Sequence, residues 1–565
     1  MVAAALVALT VLSAQAPAPA PAPAGAPDVA TATLRGQITD ILTGQPVAGA
    51  RIRAINATGR PIRPICPIDD CNGPERVGPN PTYYAITGAD GRYDILDVKP
   101  GEYIVTAGGA GYLTRSFGQN DDGAPEGRID VPPARATTVD ITLEQPGTVS
   151  GRIVSDAKEG LPGLEVELVR RVYAPGGASY RGVAFVQTEA DGVFLFRNVR
   201  PGEYYVHAYS PGGHQPTRSG SSYAYTSTYY PDAADLDGGQ RVAVSSGQAL
   251  AGMDFALQVA ATHVVTGLLV DAAGPSLAGV RIRFSPMERG GIVDDVFATA
   301  AADGSFRAER VLPGRYMVTV QDETAGQRWL GVMQQISVVD DRSVLIIPAT
   351  PGAHFEGRVV VPEGESSPIP LAQLAVRIDQ RVPGVTGDFA AAGDIEADGR
   401  FSFEGRVGES MVAFTRLPPG WHVRSVHVDG VEMTDRVFDV LPTDRRRIDI
   451  VISGRGGVLG GVTTDDDAKP VPQALVVLFP DDWTRLSRTR LVRTAFSVQG
   501  GRFEIPEVAP GSYRAAAVRW LPRDAWNDGD VLARLWSSSE SIRIGADEPA
   551  TLQLLVTEPP EDLFR

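Results

Sequence analysis

The sequence predicts an all-β chain of about five tandem Greek-key β-sandwich domains, preceded by a signal peptide and an Ala/Pro linker. Three observations predict it. Two short phrases recur in order along the chain at a pitch of about 90–115 residues, the size of one small sandwich. Gly (62) and Pro (44) are spread over the whole 565-residue length, as many short strands joined by tight turns require. No long stretch carries a 3.6-residue apolar period free of Gly and Pro, so helices are expected to be few and short. Apolar residues make up 43 %, enough to fill several cores.

At the N-terminus, residues 2–12 form an apolar run and Ser13-Ala14-Gln15-Ala16 ends in the small-x-small pattern of a signal-peptidase site, although no Lys or Arg precedes the run. Residues 1–16 are therefore expected to be a signal peptide, and the chain to be exported to the periplasm, cell surface or medium. The run is too short to persist as a membrane-spanning helix, and no later stretch is long and apolar enough for a transmembrane segment in the mature chain. Residues 17–30 alternate Ala and Pro and are expected to be an extended spacer.

The remainder is organised by the repeat. One phrase reads ADGRYDILDVKPGEY at 89–103, ADGVFLFRNVRPGEY at 190–204 and ADGSFRAERVLPGRY at 302–316. It returns as ADGRFSFEGRVGE at 397–409, without the Pro-Gly-x-Tyr ending, and as GGRFEIPEVAPGSY at 500–513. Asp-Gly suits a tight hairpin turn with positive φ. The apolar–polar alternation that follows reads as a half-buried strand, with a small shift at its end in the second copy (Phe194, Phe196, then Val199). Pro-Gly fits the centre of a type II turn, and the next Tyr can bury its ring while its hydroxyl stays hydrogen-bonded near the edge.

A second phrase precedes each copy: LRGQITD at 34–40, VSGRIVSD at 149–156, VTGLLVD at 265–271, FEGRVVV at 355–361 and LGGVTTD at 459–465. It reads as a first strand. The expected domains are 31–145, 146–259, 260–350, a divergent 351–453, and 454–558, with a tail at 559–565. The first copy is longer by an insertion of about 15 residues, a length that marks a specialised loop.

These paired phrases resemble the carboxypeptidase regulatory-like domains, which are prealbumin-like (transthyretin-like) sandwiches grouped with the carbohydrate-binding-like folds. The Gly-Arg-Ile/Val strand, the Ala-Asp-Gly turn and the Val-x-Pro-Gly-x-Tyr segment carry the resemblance, over about residues 31–558. It implies a non-catalytic domain of bacterial secreted or envelope proteins.

Nothing in the sequence assigns a catalytic residue, a cofactor site or a metal site. The histidines, His207, His214, His263, His354, His422 and His427, form no His-x-x-Glu or His-Glu-x-x-His set. His422 and His427, five apart on one strand, are expected to point to opposite faces. No Gly-x-Ser-x-Gly elbow or phosphate-binding loop occurs. Acidic clusters at 120–123, 235–239, 465–467 and 527–530 read as solvated turns; whether one binds calcium is open. Cys66 and Cys71, the only cysteines, lie in the first-domain insertion and are expected to form a disulfide after export. Lys99, Lys158 and Lys469 adjoin turn residues, which excludes a buried Lys–Asn or Lys–Asp cross-link in each domain.

Tyr223, Tyr225, Tyr229 and Tyr230 lie in a Ser/Thr-rich stretch; such rings either stack on sugars or peptides or pack on their own domain. The formal net charge of −16 disfavours nucleic acid. The expected role is structural, adhesive or protein-interacting at the cell envelope or outside the cell, the linked sandwiches forming a rod. The alternatives are a carbohydrate-binding protein or a non-catalytic accessory subunit of an envelope peptidase or outer-membrane transporter. The partner is thus open between a polysaccharide and another envelope protein.

Overall fold

The computed structural model describes residues 31–57, 81–109, 111–119, 127–174, 177–210, 223–270, 277–287, 295–321, 333–380, 389–415, 417–418, 420–485 and 489–559. The signal-like segment 1–16, the Ala/Pro stretch 17–30, the acidic cluster at 120–123, His214, Cys66 and Cys71 lie outside the described residues.

The chain is all-β, in tandem sandwiches, and one framework recurs five times. The strand carrying the first phrase (Ala32–Asp40, Gly147–Val154, His263–Val270, Ala353–Val360, Gly457–Thr464) is the pivot of one sheet. On one side it pairs antiparallel with the strand after the Asp-Gly turn. On the other it pairs in parallel with the closing strand of its unit. The facing sheet centres on the strand that follows Pro-Gly, paired antiparallel with the second strand of the unit, as Gly202–Tyr209 pairs with Glu165–Ala174. Five apolar clusters fill the five interiors in chain order, from Leu34, Ile52 and Tyr103 in the first to Leu459, Leu478 and Phe503 in the fifth.

The register explains the glycine in each first phrase. Gly36, Gly151, Gly267, Gly357 and Gly461 stand opposite Tyr93, Phe194, Phe306, Phe401 and Phe503. A Cβ on any of the five would sit 1.8–2.2 Å from a carbonyl oxygen of the closing segment: Val139, Met253, Leu345, Ile448 and Leu552 in turn. In four of them the opposing ring also comes within 2.4–3.1 Å of that Cβ position. A side chain would force the closing segment off the pivot strand, so glycine is a packing requirement here.

The Asp-Gly turn closes with the Gly N–H donating three residues back, as from Gly192 to Glu189 (2.9 Å) and from Gly304 to Ala301 (2.9 Å). Gly91, Gly192, Gly304, Gly399 and Gly501 all have positive φ. The shift at the end of the following strand is a β-bulge. Asp97, Asn198, Arg310 and Glu507 adopt φ of 56–58°, and the ladder slips by one residue beside each. The fourth sandwich keeps an unbroken register at this place.

The Pro-Gly step is not the type II turn expected. Gly101, Gly202 and Gly314 take φ of 148°, 154° and 151°, against about +80° for a type II turn. The bulge has already turned the chain, so Gly begins the next strand. The tyrosine after it behaves as anticipated. Tyr103, Tyr204, Tyr316 and Tyr513 bury their rings. Their hydroxyls donate to the carbonyls of Lys99, Arg200, Leu312 and Ala509, at 2.8, 2.9, 2.9 and 2.8 Å. In the fourth sandwich buried Ser410 holds the place, donating to the Gly408 carbonyl at 3.0 Å.

The fifth unit carries an extra layer. Its second strand, Leu475–Pro480, is buried on both faces. Leu475, Val477 and Phe479 pack against Val531, Leu532 and Leu535 of the seven-residue helix Gly529–Leu535, capped by Asp528 accepting from the Asp530 N–H at 2.8 Å. The hairpin of the second sandwich, Glu165–Ala174 with Gly177–Gln187, reaches this layer: Tyr173 joins its apolar cluster, and the Ala178 N–H donates to Asp528 Oδ2 at 3.0 Å. The expected rod is therefore corrected. A long hairpin with an aromatic near its tip finds an apolar layer on a unit three domains further along, and the array doubles back.

Candidate functional site

The tyrosine segment of the second sandwich is mostly turned inward. Tyr223–Tyr225 pairs with Val259–Ala261, and Thr228–Tyr229 pairs with the strand Gly202–Tyr209. Tyr225 and Tyr229 are buried, and Tyr230 packs edge-on against Phe255 (5.9 Å, 78°). Tyr223 alone of the four presents a large exposed surface, at 41 %. Tyr229 stacks on His207 (4.3 Å, 27°), whose Nδ1 lies 2.7 Å from Glu167 Oε1. Both partners of that pair are buried, and a Cβ on Gly182 would sit 2.1 Å from Glu167 Oε2. The hydrogen-bonded pair is thus walled by a ring and by backbone. Sequence reasoning missed it because Glu167 and His207 occupy alternate positions that face solvent in an uncovered sheet.

A second gathering lies between the fourth and fifth sandwiches. A cleft of about 460 Å³ is lined from the fourth by Glu365, His422, Arg424, Glu432 and Asp435, and from the fifth by Arg485, Arg490, Pro510 and Tyr513, among others. Asp435, nearly buried, accepts from Arg485 Nη2 at 3.1 Å and from Arg490 through Nε and Nη2, the latter at 2.5 Å. One carboxylate thus joins two guanidiniums of the next domain. Glu365 accepts from the Ser453 hydroxyl (2.9 Å) and the Gly454 N–H (2.9 Å).

His422 is placed differently from the sequence expectation. Val423, Val426 and Val428 face the core opposite Ile452, Ile450 and Ile448, and the ladder slips between Val423 and Ser425. That bulge returns His422 to the outer face, opposite Ser453, where His427 also lies, opposite Asp449. The two histidines share a face. His427 pairs with Glu432 at 3.1 Å. His422 is covered by the fifth sandwich, and its Nδ1 is buried without a hydrogen-bond partner. Burial, then Arg490, hold its imidazole below the ordinary histidine range; Glu365 opposes this, while Arg493 and Arg424 add to it. Burial likewise pushes the Tyr513 hydroxyl up and the Arg493 guanidinium down.

The other histidines sit apart, His263 beside Asp341 (3.3 Å) and His354 beside Glu404 (2.8 Å). Among the described residues no group of three or more His, Asp or Glu side chains is placed to hold a metal ion. No helix among them is long and apolar enough to cross a membrane.

Comparison with known proteins matches residues 33–144 to the family described as carboxypeptidase regulatory-like domain. No curated protein sequence matches the chain. Among solved structures, a Streptococcal ancillary pilin is 15 % identical, covering 56 % of this chain and 98 % of its own, at a TM-score of 0.20. BcpA, the major pilin subunit of Bacillus cereus, is 10 % identical, covering 93 % of this chain and 98 % of its own, at 0.14. The Bacillus anthracis TIE protein is 13 % identical and covers 76 % of each chain, at 0.16. At these scores no function is transferred from any of them.

Proposed function

The chain carries a carboxypeptidase regulatory-like domain at residues 33–144 and repeats its framework four more times; on that premise we propose an exported, non-catalytic array of sandwiches with a structural, adhesive or protein-interaction role at the cell envelope or outside the cell. The observation that carries this reading is that the five interiors are built alike while the outer faces differ. In the fifth unit a helix covers the second sheet, and in the second unit Tyr229 and Leu236 do so. In the first and third units the edge strand leaves Tyr84 and Phe297 exposed. A constant interior with varied outer faces is how a scaffold displays several surfaces from one fold.

Fractionation of cells expressing the full chain tests the export part. A mature protein beginning at Pro17 outside the cytoplasm is the expected result; an unprocessed protein in the cytosol overturns it. Turnover of peptide, ester or glycoside substrates by the purified chain would overturn the non-catalytic part.

A second reading, carbohydrate binding, is favoured by one observation, the exposed ring of Tyr223. A glycan array with hits that vanish in Tyr223→Ala supports it, and an array without hits refutes it.

A further inference from the structure

We propose that the cleft between the fourth and fifth sandwiches is a binding site for a small carboxylate-bearing ligand, gripped by Arg424 and by the Arg485–Arg490 pair. This goes beyond a scaffold role, and its success or failure leaves that role standing.

The first argument is the local charge. In a chain of net charge −16, the cleft brings Arg424, Arg455, Arg485 and Arg490 together, with Arg493 beside them. Several of the nearby carboxylates are already engaged. Asp435 is shared by Arg485 and Arg490, so that group keeps a net positive charge. Arg455 is held by Asp547. Arg493 donates to backbone carbonyls of Arg490 and Val492. Arg424 is exposed at the rim, with no ion-pair partner among the described residues. One place in the cleft is therefore open to an anion: at Arg424, and at a guanidinium pair that shares a single carboxylate, it can add a charge-assisted hydrogen bond.

The second argument is His422. It is 94 % buried, it lines the cleft, and its Nδ1 has no partner. A buried polar nitrogen left unsatisfied is unfavourable by itself, and a small turn of the ring toward the cleft would let a ligand oxygen accept a hydrogen bond from it. The groups packed around the ring are Arg490, Arg493 and Arg424 on the cationic side and Glu365 on the anionic side. With the imidazole neutral among three guanidiniums, a ligand anion adds attraction without displacing a charge of the protein.

The third argument selects among anions. Glu365 and Glu432 also line the cleft, which penalises a dianion such as phosphate more than a monoanion. Two carboxylates on the wall can accept from hydroxyl or amino groups carried by the same ligand. Pro480, Leu491 and Pro510 supply an apolar side, and about 460 Å³ lies within the 300–1,000 Å³ typical of small-ligand sites.

Calorimetric titration of the full mature chain tests this with glucuronate and N-acetyl-Ala-Ala as carboxylate probes, with inorganic phosphate and methyl glucuronate ester beside them. Saturable binding of one carboxylate probe at unit stoichiometry is expected, glucuronate indicating an acidic sugar and the dipeptide a chain terminus. Arg424→Ala, at an exposed position, should weaken it about tenfold, with Arg424→Lys intermediate and the unfolding transition unchanged. His422→Phe should weaken it while keeping the packing volume. The proposal is overturned by no saturable binding of either carboxylate up to roughly 10 mM. It is equally overturned if phosphate or the methyl ester binds as well as the acid, or if affinity is indifferent to Arg424→Ala.

Discussion

Replacing Gly357 by alanine isolates the feature on which all five sandwiches depend. The new Cβ would lie 1.8 Å from the Ile448 carbonyl oxygen and 2.9 Å from the Phe401 ring. Real Cβ contacts do not fall below 3.0 Å, so the closing strand must retreat by at least 1.2 Å, the difference between 3.0 and 1.8 Å. Ile448 sits mid-way along the parallel ladder between Ala353–Val360 and Arg445–Ser453, and its own side chain is in the core. A retreat of that size loosens the two flanking ladder bonds, each worth about 1 kcal/mol. It also overpacks the interior, at about 1–3 kcal/mol. Together these give about 3–5 kcal/mol, or a fall of at least about 12 °C in the fourth unit's transition. Gly364→Ala is the control. Gly364 has φ of +85° with open space around it, so only left-handed strain of about 1–2 kcal/mol is expected there. Calorimetry of the intact chain gives the size of each change, and hydrogen exchange over residues 400–453 shows which unit has loosened. If Gly357→Ala proves no worse than Gly364→Ala, the crossing carbonyl is not what the glycine accommodates.

Other expectations follow from the same geometry. Tyr103→Phe and Tyr204→Phe each remove a hydroxyl donating to the residue before Pro, and should lower stability by about 1 kcal/mol in urea titrations without changing the slope. Asp435→Asn leaves Arg485 and Arg490 without their shared carboxylate; a loss of about 2–4 kcal/mol, with the fourth and fifth units melting separately, would be read by calorimetry. Asp40 accepts from the Thr43 and Leu42 N–H groups, Tyr112 and Gln145, and Thr43 most of all holds its carboxyl down at about 2. Because that is below its unfolded value, its contribution is full above about pH 4 and is lost as the pH falls toward 2. Asp40→Asn should therefore flatten the acid limb of the first unit's stability curve. Tyr173→Ala should free the hairpin from the helical layer, raising the radius of gyration in small-angle scattering; an unchanged profile would show that the contact does not hold the array folded back.

The framework was legible because every recurrent letter has a local physical job. Asp-Gly, the alternating strand and the buried tyrosine are decided within a few residues, and each is found where it was read. The glycine of the first phrase was visible, but its cause was not, since Ile448 is 91 residues from Gly357. The bulge showed as the offset of Val199 from Phe196, and no such offset announced the one between Val423 and Ser425 that puts His422 and His427 on one face. The helix Gly529–Leu535 spans about two turns, too few for a 3.6-residue period to stand out. The cleft was invisible for a further reason. Asp435 and Arg490 belong to different domains, and repeat spacing says nothing about which outer faces meet.

The parallel pairing of opening and closing strands has a mechanical consequence. Each unit is entered at one pole and left at the other. Tension drawn through the polypeptide therefore pulls two neighbouring strands past each other lengthwise, stressing their shared ladder all at once instead of peeling it bond by bond. In the fifth unit that ladder runs from Val458 to Thr464, and in the fourth from His354 to Val360. Units joined in this way would hold under stretching until a whole seam yields, and would then give way one at a time.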